Sequence, residues 1–253
     1  MAGLGPYLPY LLLVFLPTIA LTAWAAWKVR STYGKWDKVD SGINMSAYDF
    51  ARYMLDRQGL QQVRIEPTPG HLTDHYDPRG RVLRVSSSVA GMRGGRGQFD
   101  PIEQQVGFSV SGGGQLSVAG AAVIAHEVGH ALQHQEKDPA MALRQLIVPV
   151  AQIGSSLAPW LIIIGLILNF LNLAVIGLVF FAAAVLFTFV TLPVEFGASN
   201  RALAFVAPLG LTGQRGDGAR AVLRAAGWTY VAAALTALLT FLYYLMLIFG
   251  SRR

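Results

Sequence analysis

Between residues 145 and 194 the chain carries no charged side chain. A run of that length cannot be hidden inside a small soluble domain, and crossing a bilayer as a helix takes about 20 apolar residues. The run is therefore expected to cross a membrane twice, turning at residues 169–172, where Asn169 and Asn172 interrupt it. Two further uncharged stretches, 4–27 and 225–250, bring the expected number of spans to four. Composition agrees: 13% of residues are charged, against roughly 25% in an average soluble domain. The 4–27 stretch has no basic residue before it and is longer than a signal-peptide core, so it reads as an uncleaved anchor.

Of the 20 Lys and Arg residues, all but Arg252 and Arg253 lie between the first and last spans. The positive-inside rule then places 28–144 and 195–224 in the cytoplasm, although the terminal arginine pair falls on the other side. The net charge of +6 does not point to nucleic acid, because the basic residues are not gathered on one element. With no cysteine in the chain, disulfides and thiolate zinc ligands are excluded. Only His, Asp and Glu remain to hold a metal.

One segment offers them. His126-Glu127-Val128-Gly129-His130 is an H-E-x-x-H pattern inside a run that reads as helix. Residues four apart on a helix share a face, so both imidazoles can reach one ion, while Glu127 points to the flank where a water would sit. Such a pattern also arises by chance. Here, however, residues 117–125 before it are small and apolar, and a sudden polar cluster on a buried helix needs a partner or a metal. Zinc takes about four ligands and a catalytic site keeps one for water, so the chain must supply a third.

His134 lies two turns beyond His126, about 12 Å away in a straight helix and too far to share its ion. Glu195, the only acid between Asp138 and Asp217, stands where the 145–194 run ends, a costly position unless functional. It is the expected third ligand, with a simple carboxylate paired to Arg201 as the alternative.

The rest of the basic region reads as support. Residues 28–42 look like an irregular segment at the membrane edge. Ser46 and Asp49 give a capping-box-like start and Gly59 a stop for a helix over 47–58. Residues 63–66 and 81–85 alternate as strands do, leaving 71–76 as a short exposed segment at a sheet edge. His71, Asp74, His75 and Tyr76 invite a second metal site, but a place beside the catalytic centre suits them better. The glycine-rich stretch 90–115 reads as a long loop without a phosphate-binding signature. The expected layout is an anchor (1–27), a catalytic region (28–144), a transmembrane hairpin (145–194), a third-ligand segment (195–224) and a last span (225–253).

With H-E-V-G-H-A-L-Q, L-P-V-E-F and P-G-H-L-T-D-H-Y-D-P together, nearly the whole chain resembles the bacterial, membrane-embedded neutral zinc metallopeptidases of gluzincin type. It is similar at greater distance to the HtpX proteases and the CAAX prenyl endopeptidases. The resemblance implies a mainly α membrane protein with a small α+β zincin-like catalytic domain in the bacterial inner membrane. It implies one zinc per chain on His126, His130 and Glu195, with Glu127 as general base. Two features depart from the family: Gly197 stands where an Asp is usual, and 91–114 looks like an insertion.

The activity to expect is a zinc endopeptidase working on polypeptides at the membrane surface, the substrate paired as a strand with 72–76 or 81–85. His75, Tyr76, Arg201 and Tyr230 are open candidates for contacts to substrate or transition state. An intramembrane site-2-type protease is the alternative enzyme, but the apolar part of the zinc helix, 117–125, is half the length of a span. A silent zinc-binding scaffold is the alternative outside enzymes, and it would have no use for Glu127.

Overall fold

A computed structural model describes residues 8–90 and 116–250; except for Ala90, the glycine-rich stretch lies outside them. Among the described residues the chain forms seven α-helices and three strands. A short α1 (Leu8–Tyr10) and a π-helical turn (Leu11–Phe15) lead into α2 (Leu16–Trp36). The wide turn sits just before Pro17, which lacks the N–H that a regular α-turn would use. Then come α3 (Ala47–Arg57), β1 (Arg64–Thr68), β2 (His75–Asp77), β3 (Val82–Ser86) and α4 (Val118–Gln135). The long helices α5 (Pro139–Ile167), α6 (Leu171–Val206) and α7 (Gly213–Gly250) complete the chain, with a 3-10 turn at Ala207–Leu209.

Four helical stretches are long and apolar enough to cross a membrane: Leu8–Trp36, Pro139–Ile167, Leu171–Leu209 and Gly213–Gly250. The break between the middle two falls at Leu168 to Phe170, where Asn169 adopts φ 53°, as the interrupting amides suggested. All four of the spanning helices outrun their apolar stretches. The segment after Lys28 is not irregular but continues α2 to Trp36, and α7 begins at Gly213 rather than near 225.

The contacts divide the chain into two compact units. One contains residues 1–29, 138–195 and 226–253, the apolar helices. Its centre is Ile162, Ala174, Leu178 and Ile248, against which Phe241 and Tyr244 pack. At Gly177 a Cβ would lie 2.9 Å from the Ala158 carbonyl oxygen, a backbone approach that small residues permit between membrane helices.

The other unit contains residues 30–137 and 196–225. Its sheet has the order β1-β3-β2, with β1 and β3 parallel and β2 antiparallel to β3. Phe50, Met54 and Leu55 from α3, Val82, Leu83 and Val85 from β3, and Val118, Ile124 and Val128 of α4 make its core. Ser46 caps α3, accepting from Asp49 N–H at 3.1 Å and donating to the Asp49 carboxylate at 2.7 Å. Ser117 caps α4 in the same way through Gly120 N–H. The end of α4 and the start of α5 are separated by Asp138, which accepts from the Ala140 and Met141 amides. Pro139 at the first position of α5 needs no such acceptor.

Candidate metal centre

The H-E-x-x-H residues occupy the middle of α4. The rings of His126 and His130 lie 4.7 Å apart, nearly perpendicular, on the face that packs against α6. At Gly129 the two helices come close enough that a Cβ would stand 2.7 Å from the Ala198 carbonyl oxygen. That closeness brings Ser199 Oγ to 3.2 Å from His126 Nδ1. One turn back on the same unbroken helix is Glu195. Being four residues from Ser199, it shares Ser199's face. One ligand atom from each of His126, His130 and Glu195 lies within 4.8 Å of the others.

The surroundings fit a metal. Four-coordinate zinc with bonds of about 2.0–2.1 Å keeps its ligand atoms roughly 3.3 Å apart, within reach of this cluster. A ligating imidazole needs its second nitrogen held, and both are: His130 Nδ1 lies 2.9 Å from Gln133 Oε1, as His126 Nδ1 lies by Ser199. Gln133 is fully buried. Glu195 is only 2% exposed, and a carboxylate so buried is stable only beside a cation. Arg144 supplies one at 3.3 Å from Glu195 Oε1. Arg144 is the last charge before the apolar run and Glu195 the first after it, so the pair ties the two ends of the hairpin.

Glu127 is buried and turned toward β2, where its Oε2 accepts from the backbone N–H of Tyr76 at 2.8 Å. Tyr76 also places its hydroxyl 2.9 Å from His134 Nδ1. Burial raises the Tyr76 phenol above its ordinary pKa. Burial, with Arg81 second, lowers that of His134.

The remaining candidates have other partners. His75 is exposed, its Nδ1 2.8 Å from the Thr73 carbonyl and its Nε2 3.2 Å from Arg84. Asp74 accepts from Ser86 N–H at 2.7 Å and Ser86 Oγ at 2.6 Å. Burial nonetheless raises its carboxyl above the usual range, those hydrogen bonds acting in the opposite sense. His71 packs edge-on against Tyr33. Arg201 pairs with Glu136 at 2.9 Å, and Tyr230 lies on α7 in the unit of apolar helices. Among the described residues, His126, His130 and Glu195 form the one group placed to share an ion. The expectation that 81–85 could pair with a substrate strand is corrected, since β3 lies between β1 and β2 and has no open edge.

Sequence reasoning missed Gln133, Ser199 and Arg144. Helical spacing carried a signal for the first two, three residues after His130 and four after Glu195. The Tyr76 amide carried none, because every residue but proline has one.

Four apolar helices and a cluster of two histidines and a glutamate define a membrane protein with the donors of a zinc peptidase. The chain belongs to the family described as "Putative neutral zinc metallopeptidase", which it matches over residues 11–94 and 90–249. It is 40% identical over 245 residues to the "Putative membrane protease YugP" of Bacillus subtilis (strain 168), covering 96% of this chain and 99% of that one. No solved structure matches it.

Proposed function

We propose that the chain is a membrane-anchored zinc endopeptidase whose ion is held by His126, His130 and Glu195. The observation that carries this reading is the convergence of those three side chains within 4.8 Å, with Glu127 beside them rather than among them. A zinc ion held there would supply Lewis acidity toward water and a substrate carbonyl. Because Nδ1 of each histidine is engaged, Nε2 is the nitrogen each ring offers. Arg144, 3.3 Å from Glu195 Oε1, holds that carboxylate in place.

Glu127 takes the proton of the attacking water and delivers it to the leaving amine, while the Tyr76 amide keeps its carboxylate oriented. Peptides and membrane-bound chains are the substrates, met at the cytoplasmic surface. Support for surface rather than intramembrane cleavage comes from α4, which is absent from the four helices apolar enough to span. Glu127→Gln tests the role of the base: it should keep zinc and lose at least about 100-fold in kcat, since general acid-base catalysis contributes 10²- to 10⁴-fold. Activity within a few-fold of the wild type would remove Glu127 from the mechanism.

A further inference from the structure

His134 stands in the metal motif's helix without reaching the ion, and Tyr76 stands in a second motif 58 residues away. The structure joins them. Glu127 and His134 are seven residues apart on α4, two turns on one face and about 10 Å along the axis. Tyr76 covers that interval from end to end. Its backbone N–H reaches Glu127 Oε2 at 2.8 Å, its hydroxyl reaches His134 Nδ1 at 2.9 Å, and its ring lies 5.9 Å from the His134 ring.

The strand that carries Tyr76 has little else to fix it. β2 has three residues, is paired on one side only, and places Tyr76 opposite Leu83. Residues along an antiparallel strand alternate between facing the partner strand and facing away. The Tyr76 N–H, given to Glu127, faces away from β3, so its direction depends on how β2 lies along α4. The Tyr76 hydroxyl donates and His134 Nδ1 accepts, in keeping with burial raising the phenol's pKa and lowering the ring's.

We propose that the Tyr76–His134 hydrogen bond is a clasp that seats the edge strand on α4, so that the Tyr76 amide holds Glu127 in position. Both side chains are positioning residues, and His134 is not a metal ligand. The proposal rests on Glu127 being the general base only for its effect on rate; the seating of β2 stands apart from it.

The test uses the full-length protein in detergent with Tyr76→Phe, His134→Leu, the double variant, and His134→Gln, which keeps an acceptor. Hydrogen exchange of the 75–77 backbone should speed up in Tyr76→Phe and His134→Leu and return toward wild type in His134→Gln. Unchanged exchange in His134→Leu overturns the clasp whether or not the protein is a peptidase. Bound zinc should stay at the wild-type level, and its loss in His134→Leu would make that residue a ligand instead. In peptide hydrolysis each single variant should lose about 10- to 100-fold in kcat, the cost typical of a lost supporting contact, with KM little changed. The double variant should be no worse than either single one. Multiplying losses would overturn the proposal and mark Tyr76 as touching the substrate.

Discussion

Replacing Gly129 with alanine should weaken zinc binding although position 129 ligates nothing. A Cβ there would stand 2.7 Å from the Ala198 carbonyl oxygen and 3.1 Å from its Cα. Both are backbone atoms of a helix, so no rotamer change can relieve the contact. Restoring an ordinary separation of 3.4 Å requires the helices to part by 3.4 − 2.7, or 0.7 Å. Metal-ligand distances tolerate only about 0.2 Å, and Ser199 and Glu195 move with Ala198. Overpacking of this kind costs about 1–3 kcal/mol, whereas the better helix propensity of alanine, about 1 kcal/mol, acts with and without the ion and cancels from the binding equilibrium. A cost of about 1–3 kcal/mol borne by the ion-bound arrangement corresponds to zinc binding weaker by roughly five- to 150-fold. Competition with a chromophoric chelator measures it. Gly34→Ala is the control, since a Cβ at Gly34 meets nothing within 4 Å, and it should leave zinc affinity unchanged. Wild-type affinity in Gly129→Ala would refute the claim that the α4–α6 approach builds the site.

Topology can be read with a single thiol, because the chain has no cysteine. Arg79→Cys, in the exposed turn before β3, should escape a membrane-impermeant maleimide in intact cells and react after lysis; labelling of intact cells would invert the orientation. The pH profile tests the environment of His134. Its folded pKa is depressed from 6.5, so the fold favours the neutral ring. That contribution is fully present above 6.5 and is lost as pH falls through the lower folded value. Thermal stability should therefore decline on that acid side, and His134→Gln should flatten the decline. An unaltered profile in that variant would contradict the assignment.

How legible each part was follows from what enforces it. The spans were plain because backbone groups in lipid must pair internally, which a helix does within a single apolar run. Glu195 was legible because a lone acid at the end of an uncharged run has few reasons to be there. The extension of α2 to Trp36 was hidden, since it depends on tertiary packing: the Trp36 ring fills the space over Gly218, where a Cβ would collide with it. That contact also lies within the glycine-containing start of α7, whose composition alone argues against helix. Three-residue β2 is too short to show a period. The parallel pairing of β1 with β3 is a non-local choice that alternation within each strand does not encode. In the site, spacing showed which residues could share a face, but only the fold showed that Tyr76 turns its amide to Glu127.

Metal analysis of the purified protein tests the central claim most directly, comparing wild type with Glu195→Ala, His126→Ala and His75→Ala. The account predicts one zinc per chain in the wild type, kept by His75→Ala and lost by Glu195→Ala and His126→Ala. Full zinc in Glu195→Ala together with its loss in His75→Ala would contradict it and move the metal centre to the sheet edge.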